Sequence, residues 1–275
     1  MVADFAQQYG PYAVVAGGAQ GIGAAYAQYI AARGVNLVLL DNAGDALEQF
    51  SAALRKQHSV KCIAIELDLG SENLLQVLSN AVGSLEVGLL VYNAGLADVG
   101  PFFKKETGLD FELKKIAVNV SGVFLLTHYF AKRMLARRRG GIVLMSSGAG
   151  LIGSPYYAHY SATKAYNIAL GQALWAEFKP YNVDVLAVAA GMTLSTASAG
   201  FEHIEDRSQF QTPEALVEEA MQALGKQPLL VAGEQHRKNH ELSRQLPPEQ
   251  LIELMAQHAI ENFLQQAPEQ ALDGD

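Results

Sequence analysis

The sequence predicts an α/β fold: a doubly wound parallel sheet of about seven strands with helices on both faces. Short β-branched runs alternate with longer stretches of helical spacing. The runs are near-continuously apolar, as in strands buried on both faces of a covered sheet. No linker-like composition interrupts them before residue 192, so they read as one domain.

The elements follow in order. "YAVVA" (12–16) is the first strand; the helix after it repeats Ile22, Ala25, Tyr26, Tyr29 and Ile30 on one face. "NLVLL" (36–40) precedes a helix with Ala46, Leu47, Phe50 and Leu54. "KCIAIEL" (61–67), "GLLVY" (88–92), "GIVLM" (141–145), "VDVLAVAA" (183–190) and "PLLVAG" (228–233) complete the strands, with long helices over roughly 110–138 and 158–178. After Gly191 the chain turns small, polar and mixed, and 192–211 reads as a loop or lid over a substrate. Thr212 then caps a helix that starts on Pro213. The expected organisation is a domain over 1–233 and a C-terminal helical extension and tail over 234–275. In that extension Leu251, Met255, Ala259 and Phe263 form a stripe suited to core or subunit-interface packing.

Composition narrows the function. Half of the 275 residues are hydrophobic, and the formal charge is −8, which argues against nucleic-acid binding and against an anionic membrane surface. The basic run Arg137-Arg138-Arg139 reads as a last helical turn before a Gly140-Gly141 cap. Cys62, the single cysteine, excludes an intrachain disulfide and reads as a buried thiol. The first ten residues do not look like a signal peptide, and no apolar run reaches the roughly 18 residues that span a bilayer. A cytoplasmic protein is expected.

The turn after the first strand, "AGGAQGIG", spaces Gly17, Gly21 and Gly23 as G-x-x-x-G-x-G ahead of a helix. Such a turn brings backbone close to a phosphate and aims free helical N–H groups at it. Asp41, 18 residues beyond Gly23, ends the second strand, where a carboxylate accepts from an adenosine ribose and repels a 2′-phosphate. The pair points to NAD over NADP; Asp41 also fits the start of the turn "DNAGD".

The stretch "SSGAGLIGSPYYAHYSATKAY" (146–166) holds one charged side chain, Lys164, four residues after Tyr160. On a helix the two share a face, and the ammonium lowers the phenol's pKa toward working pH. Tyr160 is then a proton donor or acceptor for a substrate oxygen, and Ser147, at a strand end, donates a hydrogen bond to it.

With these residues the chain resembles the short-chain dehydrogenase/reductase family in its compact, single-domain, Rossmann-type branch, from residue 11 to about 196 and more loosely to 233. The resemblance implies cofactor binding by Gly17, Gln20, Gly21, Ile22 and Gly23, with Ala16 where relatives carry threonine. It implies adenine contact at Asp68-Leu69. It matches Asn93-Ala94-Gly95 to the family's N-N-A-G motif, with Tyr92 in the first place. It makes Asn119, otherwise a buried and satisfied polar residue, the anchor of a water relay to Lys164, and Ser147, Tyr160 and Lys164 the remaining catalytic group. Lys164 would also hold the nicotinamide ribose. Gly191 follows Ala190, which stands in place of a proline, and Thr193 and Ser195 are nearest to the residues that hold the carboxamide.

By position, Leu96, Tyr156, Tyr157, Met192 and Phe201 line the substrate pocket. His159 reads as a rim or structural residue, and His236 and His240 as a solvated pair without a third metal ligand. The expected protein is a homodimeric or homotetrameric NAD(H) oxidoreductase, free of metal. It would interconvert a secondary alcohol and a ketone on a fairly large hydrophobic substrate, hydroxysteroid- or terpenoid-like or 3-oxoacyl-like. Two rivals remain: an inactive NAD(H)-binding sensor, motivated by Ala16, Tyr92 and Ala190, and a sugar-nucleotide epimerase or dehydratase.

Overall fold

Alternation within the strands builds two cores, one on each side of a single sheet. The computed structural model describes residues 2–103, 108–194 and 210–264. The chain runs α1 (Val2–Tyr9), β1 (Tyr12–Ala16), α2 (Gly21–Ala31), β2 (Asn36–Asp41), α3 (Gly44–His58), β3 (Cys62–Glu66) and α4 (Leu74–Val82). It continues through β4 (Val87–Tyr92), α5 (Gly108–Ile116), a π-helical turn (Ala117–Gly122), α6 (Val123–Arg137), β5 (Gly140–Ser147) and α7 (Ala158–Phe178). The last elements are β6 (Val183–Ala190), α8 (Pro213–Ala223), β7 (Leu229–Val231), α9 (Glu234–Ser243) and α10 (Pro248–Ala259), followed by a second π-helical turn (Ile260–Leu264).

All the expected strands form, and they pair in parallel in the order β3-β2-β1-β4-β5-β6-β7. In β1, Ala13 and Val15 join one core with Tyr26 and Ile30, while Val14 and Ala16 join the other with Leu78 and Phe130. Both faces are covered, which is why the strand sequences do not alternate with polar residues. The chain order reverses between β1 and β4, and a crevice opens at the carboxyl ends of these strands.

Several local expectations change. The helix expected over 110–138 is divided into α5, the π-helical turn and α6. The fully buried Tyr92 explains part of this: its Oη donates to the Val118 carbonyl within the turn at 2.7 Å. A Cβ at Gly122 would lie 2.4 Å from that Oη, so Tyr92 occupies space that Gly122 leaves free. At the end of α6 the cap is Arg138 in the left-handed region (φ +55), not a glycine; Gly140 already belongs to β5. The N-terminal segment forms a helix, and Tyr9 Oη at its end donates to Asp184 at 2.8 Å. Thr212 caps α8 as expected, with Oγ1 accepting from Ala215 N–H at 3.2 Å. Cys62 is buried, and burial pushes its thiol pKa up to about 11. No helix among the described residues is long and apolar enough to cross a membrane.

Candidate active site

The crevice has a volume of about 840 Å³, and its first half is built around the glycine turn. Gly17 has φ +75, and a Cβ there would stand 2.7 Å from the Ala94 nitrogen. At Gly23 a Cβ would stand 1.8 Å from the Gly17 carbonyl oxygen, so the turn folds tightly onto its own helix. Asn93 Nδ2 donates to that same carbonyl at 2.9 Å and ties the end of β4 to the turn. Gln20, at the N-cap of α2, makes no side-chain cap, so the first N–H groups of the helix remain available to an anion. Gln20, Gly21 and Ile22 line the crevice, which fits the pyrophosphate of a dinucleotide; Gly23 lies behind them.

Asp41 meets both of its readings. Its Oδ2 accepts from Ala19 N–H at 2.9 Å, and its Oδ1 accepts from Ala43 N–H at 3.1 Å, within the turn. Each carboxylate oxygen keeps a second lone pair for a ribose hydroxyl. Asp68 Oδ1 accepts from Gly70 N–H at 3.0 Å, and its Oδ2 pairs with Lys114 at 3.2 Å. The Gly70 bond, joined by Lys114, holds this carboxyl below its usual range. Leu69, Asn93, Ala94 and Gly95 complete this half.

β5 delivers Ser147 to the crevice, and the first turns of α7 deliver Tyr160 and Lys164 on one face. Lys164 is buried; its Nζ donates to the Met145 carbonyl at 3.1 Å and lies 5.7 Å from the centroid of the Tyr160 ring. Burial lowers its pKa to about 8. Tyr160 corrects the expectation that Lys164 pulls its pKa down: burial dominates and raises it, and the opposing influence is a hydrogen bond with Ser147. The ammonium is itself desolvated, and its one described hydrogen bond goes to the Met145 carbonyl.

Asn119 is fully buried and does not line the crevice. Its Oδ1 accepts from Leu96 N–H at 2.8 Å; its Nδ2 donates to the Leu96 carbonyl at 2.9 Å and to Thr163 Oγ1 at 3.0 Å. A Cβ at Gly95 would lie 3.0 Å from Lys164 Nζ and 3.5 Å from Asn119 Oδ1, so this glycine lets the two groups converge.

Sequence reasoning missed two groups here. Asn167 is buried one helical turn past Lys164, and its Nδ2 donates to the same Met145 carbonyl at 3.3 Å. Its spacing of three from Lys164 was the available signal. Lys115, almost fully buried, pairs with Asp98 and, at 2.9 Å, with Glu112; Glu112 also pairs with His159 Nδ1. His159 is therefore structural, linking the start of α7 to α5. Burial alone would raise Glu112, but hydrogen bonds from Lys115 and His159 hold its pKa below the usual value.

On the substrate side, Leu96, Tyr157 and Met192 line the crevice. Tyr156 does not: it sits in the left-handed region (φ +63), and its carbonyl accepts from Gly100 N–H at 2.9 Å to shape the turn into α7. Gly191 and Thr193 also line the crevice, and Thr193 Oγ1 donates to the Gly191 carbonyl at 3.0 Å. Ser195, Phe201 and most of the expected lid lie outside the described residues. Two further expectations change. His236 and His240 are half-buried lining residues, not a solvated pair, and the Leu251, Met255, Ala259 and Phe263 stripe faces the crevice. The described residues hold no group of three or more His, Cys, Asp or Glu placed for a metal.

The sequence pattern of short chain dehydrogenases matches residues 11–206. The chain belongs to the short chain dehydrogenase family. It is 32% identical over 220 residues to a very-long-chain 3-oxoacyl-CoA reductase of Bos taurus, covering 79% of this chain and 70% of that one. A structure solved for the stereoselectivity of 7beta-hydroxysteroid dehydrogenase superposes with a TM-score of 0.85 at 25% identity, over 91% of this chain and 98% of the other. A short-chain dehydrogenase from Sphingobium yanoikuyae in complex with NADPH gives 0.71 at 28% identity, over 78% and 83%. This short chain dehydrogenase is an NAD(P)(H) oxidoreductase that interconverts a secondary alcohol and a ketone. Its departures at Ala16 and Tyr92 fall on fully buried, packed positions.

Proposed function

We propose that the chain prefers NAD(H) and works through Ser147, Tyr160, Lys164 and Asn119 on a fairly large hydrophobic ketone or alcohol. The observation that carries this reading is the convergence of Ser147, Tyr160 and Lys164 at the end of β5, in the crevice entered by the uncapped start of α2. Asp41 supports the cofactor preference, because its carboxylate would face a 2′-phosphate. When bound, the nicotinamide supplies or removes the hydride at the carbon bearing the substrate oxygen.

The chain's residues handle the oxygen. Ser147 donates a hydrogen bond to it. Tyr160, kept protonated at neutral pH by burial, gives its proton to that oxygen as a ketone is reduced and takes it back in the reverse direction. Lys164 would hold the nicotinamide ribose hydroxyls and, as a cation behind the ring, favour the phenolate formed in the reaction. Asn119 fixes Leu96 and lies close to Lys164, where it would support a proton relay to that lysine. Gly17, Gly21, Ile22, Asp68, Asn93, Gly191 and Thr193 would hold the rest of the cofactor.

A cytoplasmic homodimer or homotetramer accompanies this reading. Leu113, Ile116 and Phe124 are exposed along α5 and α6, an apolar face of the kind that subunits cover.

The test is reduction of NAD⁺ and NADP⁺ by the purified protein across a panel of secondary alcohols, with Tyr160→Phe in parallel. Turnover with NAD⁺ should fall by about a hundredfold or more in the variant, with NADH binding retained. Undiminished turnover in Tyr160→Phe would overturn the assignment, and a preference for NADP⁺ would overturn the role of Asp41.

A further inference from the structure

Beyond the reacting groups, the crevice continues into a half walled by the C-terminal helices. α9 turns Gln235, His236, Asn239, His240 and Ser243 into it, at spacings that place all five on one helical face. α10 and the turn after it add Leu251, Met255, Ala259 and Phe263. The α9 strip is polar, and the α10 strip is apolar apart from His258. Among the described residues of α9, α10 and the turn after it that line the crevice, none is an Asp, Glu, Lys or Arg. Burial lowers the pKa of His236, His240 and His258, so their imidazoles are neutral at neutral pH.

His236 is the most constrained of these groups. Its Nδ1 lies 3.2 Å from the Ala232 carbonyl, which can only accept; Nδ1 therefore carries the proton and Nε2 is a bare acceptor. The ring is slotted between two glycines. A Cβ at Gly148 would stand 2.5 Å from Nε2, and one at Gly191 would stand 3.0 Å from Nδ1. The free acceptor thus lies against the residue that follows Ser147.

We propose that this half of the site selects an uncharged, rigid, polycyclic ketone or alcohol that carries further hydroxyl groups along one edge and is apolar along the other. His236 Nε2 accepts from a substrate hydroxyl, and Asn239 meets the polar edge farther along α9. The inference rests on the oxidoreductase reading above and names its substrate class. A plain hydrocarbon chain would cover the polar strip and leave its groups without partners, at a cost. A phosphate-bearing carrier would want cations, and the two described lysines of the crevice, Lys114 and Lys164, belong to the cofactor and catalytic side. Sites that hydrogen-bond a substrate hydroxyl reject the analogue lacking it far more strongly than apolar pockets reject a change of size.

The test uses the full-length protein and two saturated tetracyclic ketones of one skeleton, the first with two ring hydroxyls on one face and the second with none. Steady-state kinetics with NADH and equilibrium binding of each ketone to the enzyme–NADH complex are measured for wild type, His236→Ala and Asn239→Ala. Wild type should favour the hydroxylated ketone by about tenfold or more in kcat/KM and in binding. Each variant should shrink that ratio by about fivefold, through KM and not kcat. Asn239 is exposed, so its variant reports even if His236→Ala folds poorly. A ratio near unity in wild type overturns the proposal. So does a His236→Ala variant that loses kcat equally on both ketones or binds NADH more weakly, which would assign the imidazole to the reaction or the cofactor. A binding preference without turnover on either ketone would uphold the selection and overturn the redox reading instead.

Discussion

The ring of Phe263 meets the ring of Tyr157 edge-on, with centroids 5.7 Å apart. Tyr157 in turn lies 6.2 Å from Tyr160, so an aromatic chain leads from the C-terminal extension to the candidate acid. The extension is therefore part of the wall against which a substrate packs. Phe263→Ala should raise KM for a large hydrophobic ketone by about three- to tenfold, the value of one aromatic contact, with kcat nearly unchanged. Steady-state kinetics on the active ketone decide it. A fall in kcat at constant KM would place Phe263 in the positioning of Tyr160 instead.

Asp41 spends one lone pair of each carboxylate oxygen on the backbone of its own neighbourhood. Asp41→Ser removes the charge but keeps a short acceptor. The ratio of kcat/KM for NAD⁺ over NADP⁺ should drop by about tenfold or more, because a like charge no longer meets the 2′-phosphate. Absolute efficiency with NAD⁺ should fall as well, since the Ala19 contact that steadies the glycine turn is weakened. An unchanged ratio would mean that Asp41 serves the turn alone.

The parts of this architecture that were legible in the sequence share a physical cause. Strands such as β1 and β2 are buried on both faces, so their apolar runs stand out; Gly17 and Gly23 are required by contacts closer than a Cβ permits, and Gly21 by its left-handed φ of +55. Ser147, Tyr160 and Lys164 were legible only together: a Tyr-x-x-x-Lys pair alone reads as a surface pair, and its occurrence with the glycine turn and Ser147 is what marks it. What stayed hidden depends on partners distant in sequence. The π-helical turn at Asn119 is linked to Tyr92 fitting beside Gly122, and nothing local to residues 117–122 announces it. Lys115 carries no local signal of burial; Asp98, from the loop after β4, is brought against it only by the fold. The histidines of α9 read as solvated until Gly148 and Gly191 close on His236.

Lys115 supports the crevice from behind, joining the loop after β4 to α5 and, through Glu112, to His159 beside Tyr160. Lys115→Met leaves Asp98 and Glu112 facing each other with no cation between them. It should cost about 3 kcal/mol at neutral pH, as expected when one partner of a buried pair is removed. The sign with pH follows from Glu112, whose folded pKa lies below its ordinary value of 4.5. Its contribution is present above that value and is lost as pH falls through the lower, folded value. Urea denaturation of both proteins should therefore show the gap between wild type and variant narrowing in acid. A constant gap would assign the loss to packing of the lysine stem.

Lys164 makes the opposite prediction. Burial depresses its pKa from 10.5 to about 8, so the folded state carries a penalty for holding the ammonium at neutral pH. Between about 8 and 10.5 the unfolded chain binds more protons than the native one, and stability rises with pH there. Lys164→Met removes the buried charge, and the Met145 carbonyl keeps Asn167 as a donor, so no acceptor is orphaned. The variant should be more stable than wild type by roughly 3 kcal/mol at neutral pH, with the difference shrinking through that alkaline window. It should also lose turnover, because the proposed mechanism has the ammonium favour the Tyr160 phenolate. In wild type the same titration should appear as an alkaline limb of kcat/KM with a midpoint near 8, absent from the residual activity of the variant. Thermal melts and pH–rate profiles of the two proteins measure both effects. A variant less stable than wild type at neutral pH would show that the Met145 contact outweighs the desolvation of the charge.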